Sequence, residues 1–113
     1  MTITNALASV AVSDLTKSVK WYHRLFGRLP DSTPLPEVAE WKFERGGWLQ
    51  VYQLTERAGA GSVTLAVTSL VEQIEKLHKI GIDPGNPMIS EKLKVVMIKD
   101  PDGNSIAFVE TRD

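Results

Sequence analysis

The sequence contains no cysteine. That absence excludes a disulfide framework, thiolate catalysis and thiolate zinc sites, and it fits a reducing compartment. Runs of one charge are missing too: thirteen Lys and Arg stand against fourteen Asp and Glu, for a formal net charge of −1. No segment could therefore follow a phosphate backbone or an anionic bilayer. No apolar run approaches the roughly 20 residues that span a bilayer, and Met1-Thr2-Ile3-Thr4-Asn5 lacks a basic segment followed by an apolar core. The expectation is a cytoplasmic protein with neither nucleic acid nor membrane as partner. There is also no Ser-His-Asp pattern, and no glycine cluster has the strand-to-helix setting of a phosphate loop.

What is present reads as one folded unit. Of 113 residues, 42% are apolar and 24% charged, which excludes disorder. The length suits one domain with a real core, small enough that pairing with a second copy would help. Leu7 to Val12 reads as a strand, and Ser13-Asp14 can cap a helix whose apolar residues Leu15, Val19, Tyr22 and Phe26 recur at helical spacing up to Gly27. Pro30, Pro34 and Pro36 allow only an irregular or edge strand. Glu37 to Glu44 alternates, Gly46-Gly47 turns, and Trp48 to Leu54 returns as the partner strand. Ala39, Trp41 and Phe43 share one side of the first of these strands; Glu40, Lys42 and Glu44 share the other.

After the small-residue connection Thr55 to Gly61, which reads as a linker, the pattern restarts. Val63, Leu65 and Val67 alternate with Ser62, Thr64 and Ala66. Ser69 and Glu72 form a capping box, and Leu70, Ile74 and Leu77 supply the buried stripe of a helix ending at Gly81. A proline-containing stretch, Ile82 to Ser90, leads to a strand from Leu93 to Lys99. Val12-Ser13-Asp14-Leu15 falls on Val67-Thr68-Ser69-Leu70 and His23 on His78, both displaced by 55 residues. The repeat predicts a duplicated strand-helix-strands unit, modules 1–56 and 61–113 joined at 57–60, in which neither half alone could bury its sheet.

The chain closes on Asp100-Pro101-Asp102-Gly103-Asn104, a tight turn feeding the strand Ser105 to Glu110. Together with Val10 to Leu15, Ser18-Val19, Trp21-Tyr22, Leu25-Phe26-Gly27 and the doubled unit, this turn resembles the vicinal oxygen chelate superfamily: glyoxalase I, bleomycin resistance proteins and extradiol dioxygenases. The resemblance covers essentially the whole chain. It implies an α+β fold of two tandem βαβββ modules forming a curled, cup-like mixed sheet with helices on the outer face, usually in a dimer. In the metal-dependent members four strands each carry one ligand, and the corresponding positions here are Leu7, Gln50, Ser62 and Ala107. Leu7 and Ala107 have no lone pair, Ser62 is a poor neutral ligand, and Gln50 alone cannot hold a divalent ion. A shift of one residue offers Ala8, Leu49, Val63, Ile106 and Phe108, which are no better. The match is to the fold rather than to the chelate, so neither metal nor other cofactor is expected.

Other chemistry has a plainer competing reading. His23 and His78 could be a ligand pair or an acid/base couple, but their helical positions favour partly exposed histidines. Glu40, Lys42 and Glu44 could enter the cup as an acid/base set; a solvated strand face is favoured. Asp100 and Asp102 read as turn-formers, and Glu110 as the place where the last strand meets water. Parity from the former ligand positions places Leu7, Ser9, Trp48, Gln50, Tyr52, Ser62, Thr64, Ser105 and Ala107 on one face, with ligand binding assigned to Ser9, Trp48, Gln50, Tyr52, Ser62, Thr64 and Ala107. These side chains either line a small-molecule pocket, with Trp48 and Tyr52 sandwiching a planar ligand, or fill it. The expected function is metal-free binding, by sequestration or resistance, of a small aromatic or amphipathic molecule by a homodimer, with no catalytic residue assigned. The alternatives are a lyase, isomerase or dioxygenase with a noncanonical metal site, or a degenerate protein-interaction domain.

Overall fold

A computed structural model describes residues 2–111. Residues 1, 112 and 113, the outer limits of the two modules as read from sequence, lie outside the described residues. The element order is β1 (Leu7–Val12), α1 (Leu15–Phe26), β2 (Ser32–Leu35), β3 (Val38–Lys42), β4 (Trp48–Gln53), a 3-10 turn (Thr55–Arg57), β5 (Ser62–Ala66), α2 (Leu70–Lys79), β6 (Met88–Ile89), β7 (Leu93–Lys99) and β8 (Ser105–Thr111). Both modules are βαβββ. The expected mixed sheet is divided into two open four-stranded sheets, ordered β1-β4-β3-β2 and β5-β8-β7-β6, with β1 lying beside β5. In each, the first strand runs parallel to the last and the remaining pairs are antiparallel.

Local chemistry sets the helices. Asp14 caps α1 by accepting from the Lys17 amide, and Gly27 ends it at φ 73, a left-handed conformation that glycine adopts without penalty. Ser69 caps α2 in the same way through the Glu72 amide. β2 contains Pro34 and lies at the sheet edge, where a missing donor faces no partner. Each helix covers one face of its sheet. α1 packs on β3 and β4 and α2 on β8, and Val10, Val12, Tyr22, Leu25, Ala39, Trp41, Leu49, Val51, Val63, Leu70, Leu77, Val96, Ile98, Ile106 and Phe108 form one continuous core. Rings reinforce the first half: Phe26 lies 5.5 Å from both Trp41 and Phe43, and the Trp41 indole donates to Arg28 O at 3.1 Å.

The two hairpins β3–β4 and β7–β8 share one backbone turn. Gly46 N donates to Phe43 O at 3.1 Å with Gly46 at φ 96, and Gly103 N donates to Asp100 O at 3.0 Å with Gly103 at φ 99. The repeat is therefore 55 residues from Leu7 to Ser62 and from Leu15 to Leu70, but 57 from Trp48 to Ser105 and from Gly46 to Gly103.

Their side chains differ. Asn104, fully buried, donates from Nδ2 to Ala11 O and to Asp100 Oδ2 and accepts from Gly61 N, each at 2.8 Å. The Tyr22 hydroxyl donates to Asp100 Oδ2 at 2.8 Å, and the Ser13 hydroxyl donates to Asp102 Oδ1 at 2.5 Å. Turn-formers by sequence, these residues also clasp the second module to the first. The connection read as a linker is part of the clasp, because Gly59 lies so close to Asp102 that a Cβ there would stand 2.3 Å from its carbonyl oxygen. Burial beside the Asp100 carboxylate pushes the Tyr22 phenol well above its ordinary value, since an anion would be both desolvated and repelled.

Candidate functional site

The helix-free faces follow from period-2 alternation. On the first sheet, the faces opposite Val10, Leu49, Val51, Ala39 and Trp41 carry Ser9 from β1, Trp48, Gln50 and Tyr52 from β4, and Val38, Glu40 and Lys42 from β3. Pairing aligns Ser9 with Gln50, Gln50 with Glu40 and Glu40 with Ser32 in a single row across four strands. Hydrogen bonds run along it. Ser9 Oγ donates to Gln50 Oε1 at 2.9 Å, Gln50 Nε2 donates to Glu40 Oε2 at 2.5 Å, and Ser32 Oγ donates to Glu40 Oε1 at 2.9 Å. An ionised carboxylate only accepts, so it fixes which way the Gln50 amide points.

This corrects the reading of a solvated strand face at Glu40, while Lys42 and Glu44 are exposed as that reading expects. Glu40 is 7% exposed, and among the described residues no cation stands within salt-bridge distance of it. Glu44 lies in the turn beyond β3. The Lys42 ammonium is 4.3 Å from the centroid of the Trp48 ring, its direct cross-strand neighbour. Alternation alone cannot reveal this, because the partners that make a buried Glu40 tolerable come from β4 and β2.

The second sheet presents another surface. Ser62 pairs with Ser105, Thr64 with Ala107 and Ala107 with Met97, and Val109, Val95 and Met88 extend the same face. Among the described residues no side-chain hydrogen bond crosses it. Met97 is 55% and Met88 74% exposed, whereas Ala107 is buried at the foot of its row.

The residues assigned to ligand binding thus fall into two groups. Ser9, Trp48, Gln50 and Tyr52 come together on the first sheet; Ser62, Thr64 and Ala107 come together on the second. Leu7, opposite Trp48, is 44% exposed. Trp48 and Tyr52 share a face but do not form a sandwich: four residues of strand separate their Cα atoms by about 13 Å, with Gln50 between them. They flank the polar row. His23 and His78 are exposed on the helices, and His78 Nε2 lies 3.7 Å from Asp83 Oδ1 beside a surface depression of about 290 Å³, away from both sheet faces.

No family model matches the chain, and no curated protein matches it in sequence. Solved structures do. A glyoxalase/bleomycin resistance protein from Catenulispora acidiphila DSM 44928 is 31% identical, with a TM-score of 0.86 over 96% of this chain and 98% of that one. The chain belongs to the glyoxalase/bleomycin resistance protein family. Its fold is that of the vicinal oxygen chelate superfamily, shared with TnmS3, an antibiotic-binding protein from Streptomyces sp. CB03234 (21% identity, TM-score 0.81, 99% of each chain). The bleomycin resistance determinant of transposon Tn5 has the same fold at 15% identity and a TM-score of 0.81, over 98% of this chain and all of that one.

The family's metal-dependent members imply a divalent ion, and the donors here do not fit one. Leu7 and Ala107 offer no lone pair, Ser62 offers a neutral hydroxyl, and the Gln50 amide is engaged at both ends by Ser9 and Glu40. Among the described residues, no three His, Asp or Glu side chains gather where they could hold a metal. No helix is long and apolar enough to cross a membrane among those residues.

Proposed function

We propose that this family member is a metal-free small-molecule binding protein of the sequestration or resistance type, acting as a cytoplasmic homodimer. The observation that carries the reading is the row Ser9–Gln50–Glu40–Ser32, whose hydrogen bonds occupy the position where a chelating carboxylate would stand. A ligand lying across the row meets Trp48 on one side and Tyr52 on the other, a wall of rings with a few fixed polar groups between them. Ser62 and Thr64 add two hydroxyls, and Ala107 and Met97 add apolar surface, so the ligand is aromatic or amphipathic. Related folds in TnmS3 and the Tn5 determinant, named for antibiotic binding and bleomycin resistance, support this reading. The exposed Met88, Leu93 and Met97 on the second sheet suit pairing with a second copy.

The test joins two measurements on one preparation. Protein purified without chelators is expected to carry no stoichiometric nickel, zinc, iron or manganese, and a broad panel of aromatic and amphipathic compounds is expected to include some that change tryptophan emission saturably. Of the three tryptophans, Trp48 alone lies on that face, since Trp41 is buried and Trp21 stands on α1, and the signal change is expected to vanish in Trp48→Phe. Stoichiometric metal, or no binder in the panel, overturns the reading.

A further inference from the structure

Resting on that reading, we infer that the face of the Trp48 ring is a seat for an organic cation, occupied in the free protein by Lys42 and yielded to a ligand that carries a protonated amine on an apolar body. A tryptophan face attracts cations through its quadrupole, and the Lys42 ammonium 4.3 Å from its centroid shows that the geometry accepts one. The charge that favours a cation here is that of Glu40. It stands on the same face as Lys42, two residues away on β3, and pairs directly with Gln50, itself two residues from Trp48. Glu40 is therefore the diagonal neighbour of Trp48, about 7–8 Å away between Cα atoms.

At that distance a charge beside a largely buried carboxylate is screened less than it would be in open water. Glu40 has hydrogen-bond donors on both oxygens but no ion-pair partner among the described residues, so its field is not cancelled at close range. Lys42 is tethered and supplies its charge at little entropic cost, but it brings no apolar body. A ligand amine competes for the same ring while its remaining surface covers Tyr52 and the exposed apolar side chains. Lys42, still tethered to β3, swings off the ring into solvent, and the uncancelled Glu40 charge favours the added ligand cation.

Three probes of one shape separate the terms: phenethylammonium, 2-phenylethanol and phenylacetate, titrated against tryptophan emission and confirmed by calorimetry. The cation is expected to bind about tenfold more tightly than the alcohol, and the alcohol more tightly than the anion. Glu40→Gln retains a carbonyl acceptor and is expected to reduce that preference to about twofold or less, while Lys42→Met, which empties the seat, is expected to strengthen cation binding about three- to tenfold. Lys42→Arg keeps both charge and competitor and is expected to leave cation affinity unchanged or weaker. Should Glu40→Gln fail to fold, the opposite shifts in Lys42→Met and Lys42→Arg still decide the matter. Equal affinity for amine and alcohol, or no gain in Lys42→Met, overturns the cation seat while leaving small-molecule binding standing. Failure of all three probes, with other panel compounds bound, also overturns the seat alone; failure of every compound overturns both.

Discussion

The two modules build the same turn and use it differently. Phe43-Glu44-Arg45-Gly46-Gly47 and Asp100-Pro101-Asp102-Gly103-Asn104 close on matching backbone hydrogen bonds, with a left-handed glycine at the fourth position of each. The first sends Phe43 into the aromatic cluster of its own module. The second sends Asp100, Asp102 and Asn104 across to Tyr22, Ser13 and Ala11 of the other. The sheet faces diverge in the same way. Ser9, Gln50 and Glu40 have Thr64, Ala107 and Met97 as their counterparts, so one row is a hydrogen-bonded chain and the other, among the described residues, has no side-chain hydrogen bond across it. Duplication provides two equivalent frames, and side chains divide the work: the first module holds the polar row and the second provides the clasp.

The largest expected effect breaks the clasp. Asn104→Ala strands Ala11 O and Gly61 N in a buried setting and should cost about 2–4 kcal/mol in urea unfolding, whereas Gly47→Ala at the equivalent place in the first hairpin should stay within ~0.5 kcal/mol. Comparable losses at both sites would contradict the division between the turns.

Tyr22→Phe removes one strut of the clasp and should cost about 1–2 kcal/mol at neutral pH. The sign of its pH dependence follows from the raised phenol. Unfolded chain releases the Tyr22 proton above about pH 10 while the folded protein retains it, so stability is full below that value and declines as pH rises further. Urea midpoints from pH 8 to 11 should fall less steeply in Tyr22→Phe than in wild type.

Trp48→Ala should weaken binding of a panel ligand about tenfold with little change in unfolding midpoint, and Met97→Ala on the opposite row should weaken it less than about threefold. Equal losses would make the two faces equal partners in binding.

The smallest effect belongs to Asp31, an exposed carboxyl held below its usual value first by the Lys42 amide and then by Arg28. Its contribution is present above the ordinary Asp range and lost as pH falls through the lower folded-state value. Asp31→Asn should therefore lower the unfolding midpoint slightly at pH 5 to 7 and approach wild type as pH falls below the ordinary Asp range.

Much of this arrangement is legible along the chain where the governing chemistry is local. Asp14 and Ser69 cap helices through amides three residues away, and Pro34 marks an edge strand by its missing donor. Strand parity puts Trp48, Gln50 and Tyr52 on one face, and the ligand positions implied by the family resemblance put Ser9 with them. Contacts between distant segments are not legible in that way. Glu40 between Lys42 and Glu44 has the pattern of a wet strand until β2 and β4 bring Ser32 and Gln50 to it. Asp100, Asp102 and Asn104 are sufficiently explained as turn residues until Tyr22, Ser13 and Ala11 arrive from 78 to 93 positions away. Gly59 reads as a flexible linker residue for the same reason, although its closeness to Asp102 is a packing requirement.

The claim that the first sheet's open face binds the ligand is tested most directly by amide and indole NMR shifts during titration with the tightest compound of the panel. Saturable changes should centre on the Trp48 indole N–H and the Gln50 side-chain amide and extend to Glu40 and Tyr52. Changes centred on Thr64, Met97 and Val109, or around His78 and Asp83, would contradict it.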